Sequence, residues 1–107
     1  MQNRVALYVP GTSGAVNSDP ALAARMVEEV AERLSELFGG ATISLAAGAW
    51  VSEQYGLIRE DVTIVYSYAE ELTEQALLEV RRMADEIKTG MEQEAVSVEI
   101  NGALYLI

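Results

Sequence analysis

Glu28, Glu29, Glu32 and Glu36 recur at spacings that gather them on one side of a helix, and they are the densest cluster of chemically capable side chains in the sequence. Clustered carboxylates can hold a hard cation, or can imitate the nucleic-acid backbone toward a basic protein. Neither this cluster nor the acids at Glu70, Glu71 and Glu74, or at Glu92, Glu94 and Glu99, has the Asp-rich, Gly-turned spacing of a calcium loop. No metal site and no cofactor is expected. The ordinary role of such a face is solvation; the sharper one makes Glu28, Glu29, Glu32 and Glu36 a binding surface for a protein partner.

A second set of residues has the types a small ligand uses. Gly11, Thr12 and Ser13 precede a helix start, where backbone N–H groups can hold an anion, and Trp50 and Tyr55 bracket a later connection. The first segment lacks the Lys of a phosphate-binding loop and the spacing of a dinucleotide fingerprint, so an ordinary turn is its plainer reading. As the one Trp of the chain, Trp50 fits a core lid better than a binding anchor. If a ligand does bind, Gly11, Thr12, Ser13, Trp50 and Tyr55 are its candidate contacts, in a pocket completed by a second subunit.

What is missing narrows the chemistry further. The sequence has no His and no Cys, which removes Ser-His-Asp and Cys-His machinery, thiolate nucleophiles, disulfides and the usual transition-metal ligands. Catalysis would have to use carboxylates, Tyr, Lys or Arg, and no carboxylate falls inside a predicted apolar stripe; no catalytic residue is assigned. Seventeen acidic and seven basic residues give a net charge of −10, which disfavours direct contact with nucleic acid or an anionic membrane. The apolar run before Pro10 is too short for a signal sequence or a membrane span, and a cytoplasmic protein is expected.

The elements that position these residues follow from hydrophobic period. Val5, Leu7 and Val9 alternate with Ala6 and Tyr8, as in a strand with one buried face. Asp19-Pro20 opens a helix whose apolar face carries Met26, Val27, Val30, Leu34 and Phe38, and Gly39-Gly40 closes it. Alternation resumes over 41–51 and again over 61–68, where Val62, Ile64 and Tyr66 are expected on the helix side. Thr73 caps a second helix with Leu72 and Leu77 as its staple, and Thr89-Gly90 ends it. A strand over 94–100, then Asn101-Gly102, a strong hairpin signal, lead to a last strand over 103–107.

The order β-α-β-β-α-β with an added C-terminal edge strand predicts one domain spanning 1–107, of α+β, ferredoxin-like split βαβ plan. Two helices should cover one face of an antiparallel sheet. The other face is expected to show Ala6, Tyr8, Thr42, Ser44, Thr63, Val65 and Ser67, small and uncharged enough to pair with a second copy.

The stretches Leu37-Phe38-Gly39-Gly40-Ala41-Thr42, Gly48-Ala49-Trp50-Val51-Ser52, Thr63-Ile64-Val65-Tyr66-Ser67-Tyr68 and Met91-Glu92-Gln93-Glu94-Ala95-Val96 resemble small uncharacterised acidic proteins of bacterial plasmids, phages and other mobile elements. That resemblance implies no assigned activity; it implies the company of inhibitors that blunt host defence. The functional expectation is therefore a non-catalytic binding protein that inhibits a host defence or nucleic-acid enzyme through its acidic surface. The alternative is a dimeric sponge for a small molecule or nucleotide signal.

Overall fold

The computed structural model describes residues 2–11 and 20–107. Its elements are β1 (Asn3–Pro10), α1 (Pro20–Phe38), β2 (Thr42–Ser52), β3 (Gly56–Ala69), α2 (Glu74–Gly90), β4 (Ser97–Ile100) and β5 (Ala103–Leu106). The five strands form one sheet in the order β2-β3-β1-β4-β5, antiparallel throughout, and both helices pack on one face of it. This is the ferredoxin-like α+β arrangement with an added edge strand.

The core lies between sheet and helices. Val5, Leu7 and Val9 of β1 meet Val30 and Leu34 of α1 and Val80, Met83 and Ile87 of α2, all fully or nearly fully buried. These are the residues that helical and period-2 spacing selects. Thr73 caps α2 as expected, its Oγ1 accepting from the Ala76 N–H at 3.1 Å. Asp19, the expected cap of α1, lies outside the described residues, as do Thr12 and Ser13.

The parity of β3 is the main departure from the sequence reading. Ala6 pairs with Tyr66 and Tyr8 with Ile64, so Val62, Ile64 and Tyr66 lie on the open face with Ala6 and Tyr8. Val65, Ser67 and Ala69 are the ones buried under the helices. The expected open-face positions Thr63, Val65 and Ser67 are thus corrected to the helix side. The physical reason is room: α1 runs close over β3, and the small Ser67 lets the chain turn back there, its Oγ donating to the Gly40 carbonyl at 2.6 Å. The bulkier alternating set is left to the open face.

Two further differences concern length. β3 begins at Gly56 rather than at 61, and with β2 it makes a hairpin in which Trp50 pairs with Ile58 and Ser52 with Gly56. Its outer part projects past the helices, so Leu45 and Val51, expected inside or at the strand end, are 85% and 76% exposed. β4 covers only Ser97–Ile100.

The Asn101-Gly102 turn is as read, with φ of 52° and 86°. Asn101 also acts as a clamp: its Oδ1 accepts from the Arg4 N–H at 2.8 Å, its own N–H donates to the Arg4 carbonyl, and its Nδ2 donates to Asn3 Oδ1. A turn residue so placed ties the β4–β5 hairpin to the central strand.

Candidate site on the open face of the sheet

Arg4, Ala6 and Tyr8 of β1 alternate onto the open face, between Tyr66 and Tyr68 of β3 on one side and Glu99 of β4 on the other. They form a connected polar group. The Tyr8 hydroxyl donates to Glu99 Oε1 at 3.2 Å, and Arg4 Nε, buried and without hydrogen-bond geometry, stands 3.4 Å from Glu99 Oε2. The guanidinium lies 4.2 Å from the centre of the Tyr66 ring, and Tyr68 packs edge-on to Tyr66. Burial and the bond to Glu99 both raise the Tyr8 hydroxyl above the usual phenol range. The Arg4 guanidinium is raised as well, chiefly by its bond to the Tyr68 oxygen.

Beyond Tyr8 the same face opens into a cavity of about 330 Å³. Val62 and Ile64 make its floor, Ala46 and Gly48 one wall, and Gln93, from the segment joining α2 to β4, with Ser97 at the start of β4, the opposite wall. Glu60 supplies a carboxylate at its edge, and the Trp50 Nε1–H donates to Glu60 Oε1 at 3.4 Å. The cavity therefore combines an apolar floor with a phenol, a carboxylate and an amide. No Lys or Arg lines it among the described residues, and these hold no group of three acids, His or Cys arranged for a metal ion.

The positions singled out by sequence are placed differently. Glu28, Glu29, Glu32 and Glu36 are exposed on α1, on the other side of the sheet. Glu28 borders a second groove of about 490 Å³, walled by Val27, Ile43 and Leu45 and edged by Asp61. Gly11 has a structural task there: a Cβ would stand 3.0 Å from both Asp61 Cβ and the Asp61 carbonyl oxygen, which accepts the Gly11 N–H. Trp50 sits three register steps farther along the hairpin than Asp61, about 10 Å away, and Tyr55 lies at its tip. The chain does not bring Gly11, Trp50 and Tyr55 around one ligand. Trp50 is also 53% exposed rather than a core lid; its contribution is the bond to Glu60.

Sequence reasoning placed Tyr8 on the open face and Glu99 among the acids, but did not bring them together with Glu60 and Gln93 in one site. The available signal was the apolar run Ile64-Val65-Tyr66, which sets apolar residues on both faces of the strand rather than one.

No protein-family model and no curated protein matches the chain. Among solved structures, a phage SAM lyase in complex with S-methyl-5'-thioadenosine aligns over 98% of this chain and 88% of its own, with a TM-score of 0.67 and 19% identity. A phage SAM lyase in the apo state aligns over 98% and 87%, with a TM-score of 0.68 and 18% identity. The expectation of a non-catalytic inhibitor acting through an acidic surface, or of a sponge, is corrected by this finding. Both of these structures, alike in fold over nearly the whole of this chain, are of a SAM lyase.

Proposed function

We propose that the chain is a lyase acting on S-adenosylmethionine, with the open-face cavity as its binding site. The observation that carries this is the likeness to the two lyase structures over nearly the whole chain. The cavity supports it through its chemistry. S-methyl-5'-thioadenosine is S-adenosylmethionine without its aminocarboxypropyl arm, so forming it requires the bond between sulfur and that arm to break with both electrons going to sulfur. The arm's own carboxylate can displace the sulfur, forming a carbon–oxygen bond and a five-membered lactone as the carbon–sulfur bond breaks.

This route needs no nucleophile or base from the protein, which suits a chain without His or Cys. It joins an anion to a sulfonium and cancels both charges, so it gains from leaving water for a site of low polarity. Val62 and Ile64 supply such a floor, Glu60 can hold the arm's ammonium group, and Tyr8 closes the polar side. Incubation with S-adenosylmethionine should yield S-methyl-5'-thioadenosine, read by chromatography. Glu60→Gln should raise KM on the order of tenfold, the scale of one charge-assisted hydrogen bond. Complete recovery of intact substrate would reject the reading.

We also propose that a second copy covers this face. Tyr68, Leu104 and Leu106 are 48%, 59% and 70% exposed on the same side of the sheet as Tyr66 and Ile64, an apolar patch of the kind interfaces bury. Light scattering should give a multiple of the chain mass, and Leu104→Lys with Leu106→Lys should shift it toward the monomer. The setting proposed is the cytoplasm of a cell carrying a phage or related element, in line with the resemblance of four sequence stretches to proteins of mobile elements.

A further inference from the structure

We infer that the open-face cavity sorts substrate from product by charge, capturing a cationic sulfonium and releasing a neutral thioether. The inference rests on the lyase reading and concerns a property of the same site. At neutral pH S-adenosylmethionine carries a sulfonium, an ammonium and one carboxylate, hence one net positive charge, whereas S-methyl-5'-thioadenosine carries none. A site that senses this difference binds what it must cleave and lets go of what it has made.

The walls have the required sign. Glu60 lines the cavity, and Glu92 and Glu94 are exposed on either side of Gln93 in the segment that forms one wall. Glu99 stands just behind Tyr8, but its charge is matched by Arg4 at 3.4 Å, so it is set aside. No basic side chain lines the cavity among the described residues to oppose the remaining acids. The molecule behind them carries a net charge of −10. A cleft with apolar walls and one sign of charge concentrates field lines, and such focusing raises capture of an opposite charge by about 10- to 1,000-fold.

Glu92 and Glu94 lie outside the lining, so their contribution is through the field alone. The four acids of α1 are across the sheet and add little at physiological salt, where screening acts within about 8 Å.

The test is the salt dependence of each step. Raising ionic strength from about 0.01 M to about 0.15 M shortens the Debye length from about 30 Å to about 8 Å. Over that range kcat/KM for S-adenosylmethionine should fall on the order of tenfold while kcat holds, and inhibition by S-methyl-5'-thioadenosine should not change. Glu92→Gln with Glu94→Gln should lower kcat/KM at low salt roughly threefold and flatten the salt dependence, again with kcat and product inhibition unchanged. Calorimetry provides a readout free of turnover: binding of a cationic analogue in which an amine-bearing carbon replaces the sulfonium, and so cannot be cleaved, should weaken with salt, and binding of the neutral S-adenosylhomocysteine should not. A kcat/KM that is indifferent to salt, or product inhibition that moves in parallel with KM, would overturn the charge-sorting inference and leave the lyase reading intact. A protein that neither binds nor cleaves S-adenosylmethionine at any salt would overturn both.

Discussion

Tyr8 stands where the polar cluster of the open face meets the cavity, and its hydroxyl donates to Glu99 at 3.2 Å. The fold holds that proton more tightly than a free phenol does, because burial and the carboxylate both oppose ionisation. A raised value makes the contribution to stability complete below the ordinary tyrosine range near 10, and lost as pH rises through the higher folded value. Alkaline unfolding followed by circular dichroism should therefore show a component that Tyr8→Phe lacks. Asn101 is a second side chain with several tasks. Asn101→Ala removes the bond from the Arg4 N–H and the bond to Asn3, and places Ala at a φ of 52°. A loss of about 2 kcal/mol is expected in urea denaturation, from one backbone partner left unmatched and from positive-φ strain. The sequence showed Asn101-Gly102 as a turn. It did not show the clamp, because the Asn3 and Arg4 partners are brought to it only by the pairing of β4 with β1.

At the level of elements, period and capping were sufficient to place all seven, with α1 beginning at Pro20 and ending at Phe38 as read. Face was harder. Alternation in β3 is equally regular for Val62, Ile64, Tyr66 and for Val65, Ser67, Ala69, and choosing the more apolar set for the core assigned the wrong side. The sheet has two demanding faces, and the helix-covered one accepts small residues where α1 lies close. The candidate site was missed for the same reason, since its floor is the set assumed to be buried elsewhere. The assignment has a direct test in paired truncations. Val65→Ala, at a position with no exposure, should cost about 2 kcal/mol, while Val62→Ala, the same truncation at a half-buried position on the open face, should cost no more than about 1 kcal/mol. Chemical denaturation of the two variants compares the faces directly, and equal losses would contradict the register.

For the whole molecule, a charge of −10 on a body 44 × 26 × 20 Å in extent means that self-repulsion opposes folding at low salt. Ion pairs such as Arg33 with Glu79 and Glu86, or Arg82 with Glu79, are partly exposed and return little. The melting temperature should accordingly rise between low and physiological ionic strength. Replacing Glu28, Glu29, Glu32 and Glu36 by Gln should leave the fold at least as stable and reduce that rise. A melting temperature that falls with salt would show that the ion pairs outweigh the repulsion.

The strand order carries a consequence for the birth of the molecule on the ribosome. β1 is made before both of its neighbours yet occupies the middle of the sheet, bonded on one side to β3 and on the other to β4. β3 follows only after α1 and β2, and β4 only after α2 as well, so β1 must wait with both of its backbone edges unpaired. Contacts this distant in sequence make folding slow and leave an apolar strand exposed to other nascent chains in the interval. Val5, Leu7 and Val9 are the segment such a delay endangers.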